Sequence, residues 1–234
     1  SEIEQLLEQK FDNLSEILEN LVDKELLIRI EKGKFCKQSF RDEYVIGTFI
    51  VENSAVAYWS ALNLHGLTEQ FSNTVFIQTP HQKKDKSILG TSYKFVRIAP
   101  HKKVGIIHNG YGNLQYPITD VEKTIVDCFD LPQHSGGYAE LIRAIGQAKL
   151  QSNKLVDYCR AVNNIAVTKR IGYLVELLQI TDMEPFIDFA KKQVNKRYNL
   201  FDPQGLEEGE FVAEWRLRLN ISREELLDIS NKQY

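Results

Sequence analysis

The sequence predicts an α/β chain, α+β in arrangement. A winged-helix-like module over residues 1–40 precedes an α/β domain over 41–234, a mixed sheet followed by C-terminal helices. Three observations point there. The first forty residues run helix, turn, helix, hairpin. Between 74 and 118 short runs are apolar or alternate at the two-residue period of strands. After Val121 apolar residues recur at helical spacing.

Taken in order, Ser1–Lys10 reads as a helix with Ile3, Leu6 and Leu7 on one face, broken at Asp12-Asn13. Leu14–Leu27 is a second helix, striped by Leu14, Ile17, Leu18, Leu21 and Val22. Ile28–Lys37 reads as a hairpin turning at Lys32-Gly33, in the place of a wing. Arg41–Val51 is a linking helix. A helix from Ser54 or Tyr58 carries Trp59, Leu62 and Leu64 and stops at Gly66, with His65 placed for a dipole contact. Thr74–Thr79, Tyr93–Ile98, Val104–Ile107 and Leu114–Ile118 are strands, and Lys83–Lys86 is a charged loop. Thr119 reads as a helix cap with Glu122 three residues on, as in a capping box. Pro132 ends that helix and Gly136-Gly137 turns the chain into the next. Helices follow near 155–162, over Ile165–Leu178 with Lys169-Arg170 on or beside its exposed side, and from Pro185. Glu214–Asn220 alternates strictly and is expected to return to the sheet, and Ser222 with Glu225 caps a last helix.

Of the 234 residues, 43% are hydrophobic and 26% charged, the balance of an ordinary globular protein. No apolar run approaches the roughly 18 residues of a membrane span, so no membrane contact is expected. The acidic N-terminus does not resemble a secretory signal. Cys36, Cys128 and Cys159 are scattered and odd in number. That argues against disulfides and structural zinc and for a reducing cytoplasm.

The net charge of −3 means that nucleic-acid contact requires a local patch. Residues 1–27 hold eight acids and two bases, whereas 28–41 hold five bases and one acid. Arg29, Lys32, Lys34 and Lys37 are therefore candidate phosphate ligands on the wing. Asn13, Ser15 and Asn20 are candidates for base edges. Glu16, Glu19 and Asp23 on the second helix work against DNA contact by repelling the backbone. Residues 79–103, with seven bases and one acid, form a second basic window. There Lys83, Lys84, Lys86, Lys102 and Lys103 make a possible second surface, or a solvated loop.

No phosphate-binding loop, dinucleotide fingerprint or HExxH helix is present. Asp120, Glu122, Asp127 and Asp130, with His134 nearby, are the residue types a divalent metal would need. Capping and surface pairing explain all of them, so no catalytic residue, metal or cofactor is assigned.

Five pieces then stand in series: Ile30-Glu-Lys-Gly-Lys-Phe; Ser60-Ala-Leu-Asn-Leu-His-Gly-Leu-Thr; Glu122-Lys-Thr-Ile-Val-Asp with Gly136-Gly137; Lys169-Arg-Ile-Gly-Tyr-Leu-Val-Glu; and Trp215-Arg-Leu-Arg-Leu-Asn. This order resembles the AbiEi family of antitoxins and transcriptional regulators from abortive-infection, phage-defence operons. The resemblance spans nearly the whole chain. It implies an N-terminal winged helix joined to an antitoxin domain and repression through inverted repeats of operator DNA. It also implies neutralisation of a nucleotidyltransferase-like toxin without a stable complex, as in type IV systems, and no catalysis. Two alternatives from other classes are a metal-dependent enzyme acting on nucleic acid or nucleotides, and a protein-interaction module without DNA binding.

Overall fold

Glu8 and Glu25 set the limits of the first two helices. The computed structural model describes residues 2–232. Its first helix, α1, is Glu2–Leu6 and does not reach Lys10. Glu8 takes a positive φ of 50°, and the Glu4 carboxylate accepts from the Phe11 amide at 3.2 Å, which turns the chain early. The second helix, α2 (Leu14–Asp23), ends four residues before Leu27. Glu25 is left-handed (φ 57°), its amide donates to Val22 O at 2.9 Å, and that of Leu26 donates to Leu21 O at 2.9 Å. This paired closure satisfies the last carbonyls and frees Leu27 to begin a strand. The hairpin of β1 (Leu27–Glu31) and β2 (Lys34–Lys37) follows, with Arg29 opposite Phe35 and Ile28 opposite Cys36.

The chain divides into two compact units, Ser1–Asp42 and Glu43–Tyr234. The second has mixed helix and strand. After α3 (Glu43–Ile50) come β3 (Ala55–Val56), α4 (Tyr58–Leu64), β4 (Thr74–Thr79), β5 (Lys86–Ile88), β6 (Thr91–Arg97), β7 (Ile106–Asn109) and β8 (Tyr116–Thr119). They build a six-stranded sheet in the order β5-β6-β4-β3-β8-β7. β4 and β6 pair in parallel over six residues from Thr74↔Ser92 to Thr79↔Arg97. The edge strand β5 occupies part of the stretch expected as a loop; Asp85 locks its entry, accepting from the Phe95 amide and from Lys94.

Then come α5 (Val121–Asp130), α6 (Tyr138–Gln147), α7 (Ser152–Val162), α8 (Ile165–Leu177), α9 (Glu184–Gln193) and α10 (Arg223–Asn231). α5 packs against α4, α6, α7 and α8 and is buried on every side from Glu122 to Phe129. The turn into α6 requires glycine at 136: φ is +81°, and a Cβ there would lie 2.7 Å from the Trp59 ring. One apolar cluster runs from Ala57 through Phe129, Leu141 and Ile171 to Leu226.

The alternating segment near the C-terminus does not rejoin the main sheet. β11 (Leu217–Leu219) lies between β10 (Glu210–Val212) and β9 (Asn199–Leu200) in a separate three-stranded sheet. Arg216 has φ +49°, which places Trp215 in the preceding turn and shortens the strand. Ser222 and Glu225 form the expected reciprocal cap on α10.

Candidate nucleic-acid interface

In the first unit the wing residues are not equivalent. The Arg29 guanidinium forms an ion pair with Glu19 of α2 and lies 5.2 Å from the Phe35 ring centroid. It is thus held against its own unit by charge and by the ring face. Lys32 sits at the hairpin tip beside Gly33 (φ +74°), and Lys37 closes β2. Both are exposed and carry no ion pair among the described residues. Lys34 is half-buried on the same hairpin. Asn13 occupies the N-cap of α2 without a side-chain cap bond, and Ser15 and Asn20 are exposed on that helix. Glu16, Glu19 and Asp23 share it, so α2 remains an acidic helix beside a basic hairpin. Burial pushes the Cys36 thiol up, with Arg41 opposing.

In the second unit the lysines of the 79–103 window fall into two groups. Lys83, Lys84 and Lys86 lead into the edge strand β5. Lys102 is docked on α5, its ammonium 2.6 Å from Asp130, and Lys103 donates to Asn53 Oδ1 at 3.1 Å. Lys102 and Lys103 thus help to pack the sheet connection against its neighbours. Tyr93 and Phe95, in the same window, are buried in the core.

The acidic stretch is bonded from within except at Asp127 Oδ2, which is buried without a hydrogen-bond partner among the described residues. Asp120, not Thr119, is the N-cap of α5, accepting from the Lys123 amide at 2.9 Å. Thr119 still belongs to β8, where its hydroxyl shares a 2.7 Å bond with that of Thr124, so the next residue supplies the cap. Asp120 also accepts from Tyr158 at 2.8 Å and Lys154 at 3.1 Å. Glu122 reaches α7, accepting from the Gln151 amide at 2.9 Å and from Lys154. Asp130 is shared by Lys102 and Asn164. Asp127 pairs with Lys123 inside the fold; burial drives its carboxyl up to about 6 against the pull of that lysine. His134 packs edge-on against Tyr58, 5.4 Å between ring centroids. Its imidazole is pushed down by burial, then by Lys94. Among the described residues no three of these side chain types converge as a metal-holding group. His65, placed at the end of α4, donates from Nε2 to Thr119 O at 2.7 Å and so ties the helix to β8.

Lys169 and Arg170 are buried, contrary to the exposed placement expected. Lys169 Nζ donates to Arg197 O at 2.8 Å and Arg216 O at 3.1 Å. Arg170 donates twice to Leu200 O, from Nε at 3.0 Å and Nη2 at 2.9 Å. Burial, then Arg170, Arg197 and Arg216, lowers the Lys169 ammonium to about 8. Helical periodicity alone missed this because their partners are main-chain carbonyls of a distant segment, which leave no mark in sequence.

No helix of the described residues is long and apolar enough to cross a membrane. No family model matches the chain, and no curated protein matches it. Among solved structures, the crystal structure of the RV2827C protein from Mycobacterium tuberculosis is similar over 93% of this chain and 83% of that one, with 15% identity and a TM-score of 0.62. At that identity the likeness is one of fold.

Proposed function

We propose that this chain is an antitoxin and transcriptional autorepressor of a phage-defence operon. In this reading the hairpin of the first unit meets operator DNA carrying inverted repeats, and the second unit counters a nucleotidyltransferase-like toxin. The order of the five sequence motifs supports the antitoxin half. The observation that carries the DNA half is the pair of exposed lysines on the hairpin, Lys32 and Lys37, which have no ion-pair partner to give up among the described residues. Each can release counterions on meeting a phosphate. Arg29 contributes less, because binding DNA would cost its interactions with Glu19 and Phe35.

The test is a gel shift on the chain's own promoter with Lys32→Glu and Lys37→Glu combined. Binding should weaken, and the log–log salt dependence should flatten by about 0.9 for each phosphate that is no longer neutralised. Unchanged binding removes the hairpin from the interface. A second reading, a protein-interaction module, draws on the acidic α2 and on Leu6, Leu7, Ile17 and Leu26, which are exposed in the first unit. It is favoured if the promoter fragment is not shifted at all.

A further inference from the structure

Two clefts open side by side in the second unit, around the turn from α7 into α8. One, of about 360 Å³, is bordered by Lys102, Asp130, Asn195 and Arg197. The other, of about 330 Å³, is bordered by Arg160, Thr168 and Lys192. Asn163, Asn164 and Ile165 line both.

The charge around them is one-sided. Asp130 is the one carboxylate on either lining, and its oxygens are taken by Lys102 at 2.6 Å and Asn164 at 2.8 Å. Arg160 is 3.7 Å from Asp157, with both side chains more than half exposed, a weak pairing. Lys192 and Arg197 have no ion pair among the described residues. Behind them stands Lys169, fully buried, whose ammonium is held by two carbonyl oxygens and, among the described residues, by no carboxylate. Neutral donors are also in place. Asn195 turns its Oδ1 back to the Arg197 amide, which leaves Nδ2 as the free end of the side chain. The start of α8 adds little on its own, since Asn164 Oδ1 already accepts from the Ala166 amide.

Excess cations, amide donors and concave lobes suit a ligand with several anionic oxygens. We propose that this double cleft binds phosphate groups, those of a nucleotide or of a polynucleotide backbone, through Lys192 and Arg197 with Asn163 and Asn195 as neutral donors. The site lies in the second unit and does not depend on the hairpin lysines.

Binding of the full chain to a fluorescent ATP analogue and to a labelled short single-stranded RNA tests this, with inorganic pyrophosphate as competitor. Lys192→Glu with Arg197→Glu should weaken association about tenfold or more, and the Gln pair should weaken it less, as expected when phosphates are deprived of two cations. Reversal of Lys32 and Lys37 should leave it unchanged. Thermal melts without ligand report whether each variant is folded. RNA binding far tighter than ATP assigns the backbone as the source; comparable binding assigns the nucleotide; both support the site. Three results overturn it: no saturable binding of either probe, equal binding by the reversed variant, or displacement by poly-glutamate as effective as by pyrophosphate.

Discussion

Replacing Gly172 by alanine sets two effects of known size against each other. Glycine in a helix interior costs about 1 kcal/mol relative to alanine, so on propensity alone the change stabilises α8. The added Cβ, however, would lie 2.5 Å from Trp215 Cη2 and Cζ3 and 2.9 Å from Ala190 Cβ. The indole cannot swing away freely. It is 1% exposed, its Nε1 donates to Glu176 Oε2 at 2.6 Å, and Lys191 Nζ stands 5.6 Å from its ring centroid. Burial alone would raise the Glu176 carboxyl, but Lys191 and Trp215 outweigh it and hold the group ionised below the usual range. Overpacking a filled core costs about 1–3 kcal/mol, and two rigid neighbours put this site toward the upper end. The net expectation for Gly172→Ala is a loss of about 1–2 kcal/mol, or roughly 2–8 °C in Tm for a unit of this size. Urea unfolding followed by tryptophan fluorescence measures it. Combining it with Trp215→Phe should cost less than the sum of the single changes, since the smaller ring makes room. A neutral or stabilising Gly172→Ala, or strict additivity with Trp215→Phe, would refute the reasoning.

Two further outcomes are expected. Asp127 is raised to about 6 in the folded chain from an ordinary 3.8, so the fold binds its proton more tightly than the unfolded chain does. Its contribution to stability therefore falls as pH rises from about 4 to about 6. The stability of the native chain relative to Asp127→Asn should fall over that window, and an Asp127 carboxyl resonance titrating below pH 4 would contradict it. If the chain acts as proposed, charge reversal of Lys83, Lys84 and Lys86 together, scored separately for promoter repression and for rescue from the proposed toxin, should reduce one of them roughly threefold or more. If neither moves, these residues are a solvated approach to β5 and nothing more.

Much of the fold was legible in the chain because local signals and tertiary demands agree. Thr74–Thr79, the helix start close to Pro185, the cap at Ser222, and the glycine pair at 136–137 fall where their chemistry predicts. Three departures share one cause. Glu122, Lys169 and Arg170 are polar residues whose partners lie far along the chain, at Gln151, Arg197 and Leu200. A helix-period reading assigns such residues to solvent or to the nearest cap, since burial by long-range hydrogen bonds has no period. β11 departs for a related reason: alternation marks a half-buried strand but does not say which sheet receives it. At the candidate interface, the net charge of the hairpin was readable from composition, but the capture of Arg29 by Glu19 was not.

The hold of Lys169 and Arg170 on the chain after α9 has a consequence for how this protein can change. Carbonyl oxygens are common to all twenty residue types, so a clamp that grips them is indifferent to the side chains it carries. The route of the chain through Arg197, Leu200 and Arg216 is set by two cations on α8. The clamp itself therefore places no demand on the outward side chains along that route. A surface built in this way can be re-edited for a new partner one residue at a time, while the backbone beneath it keeps its course.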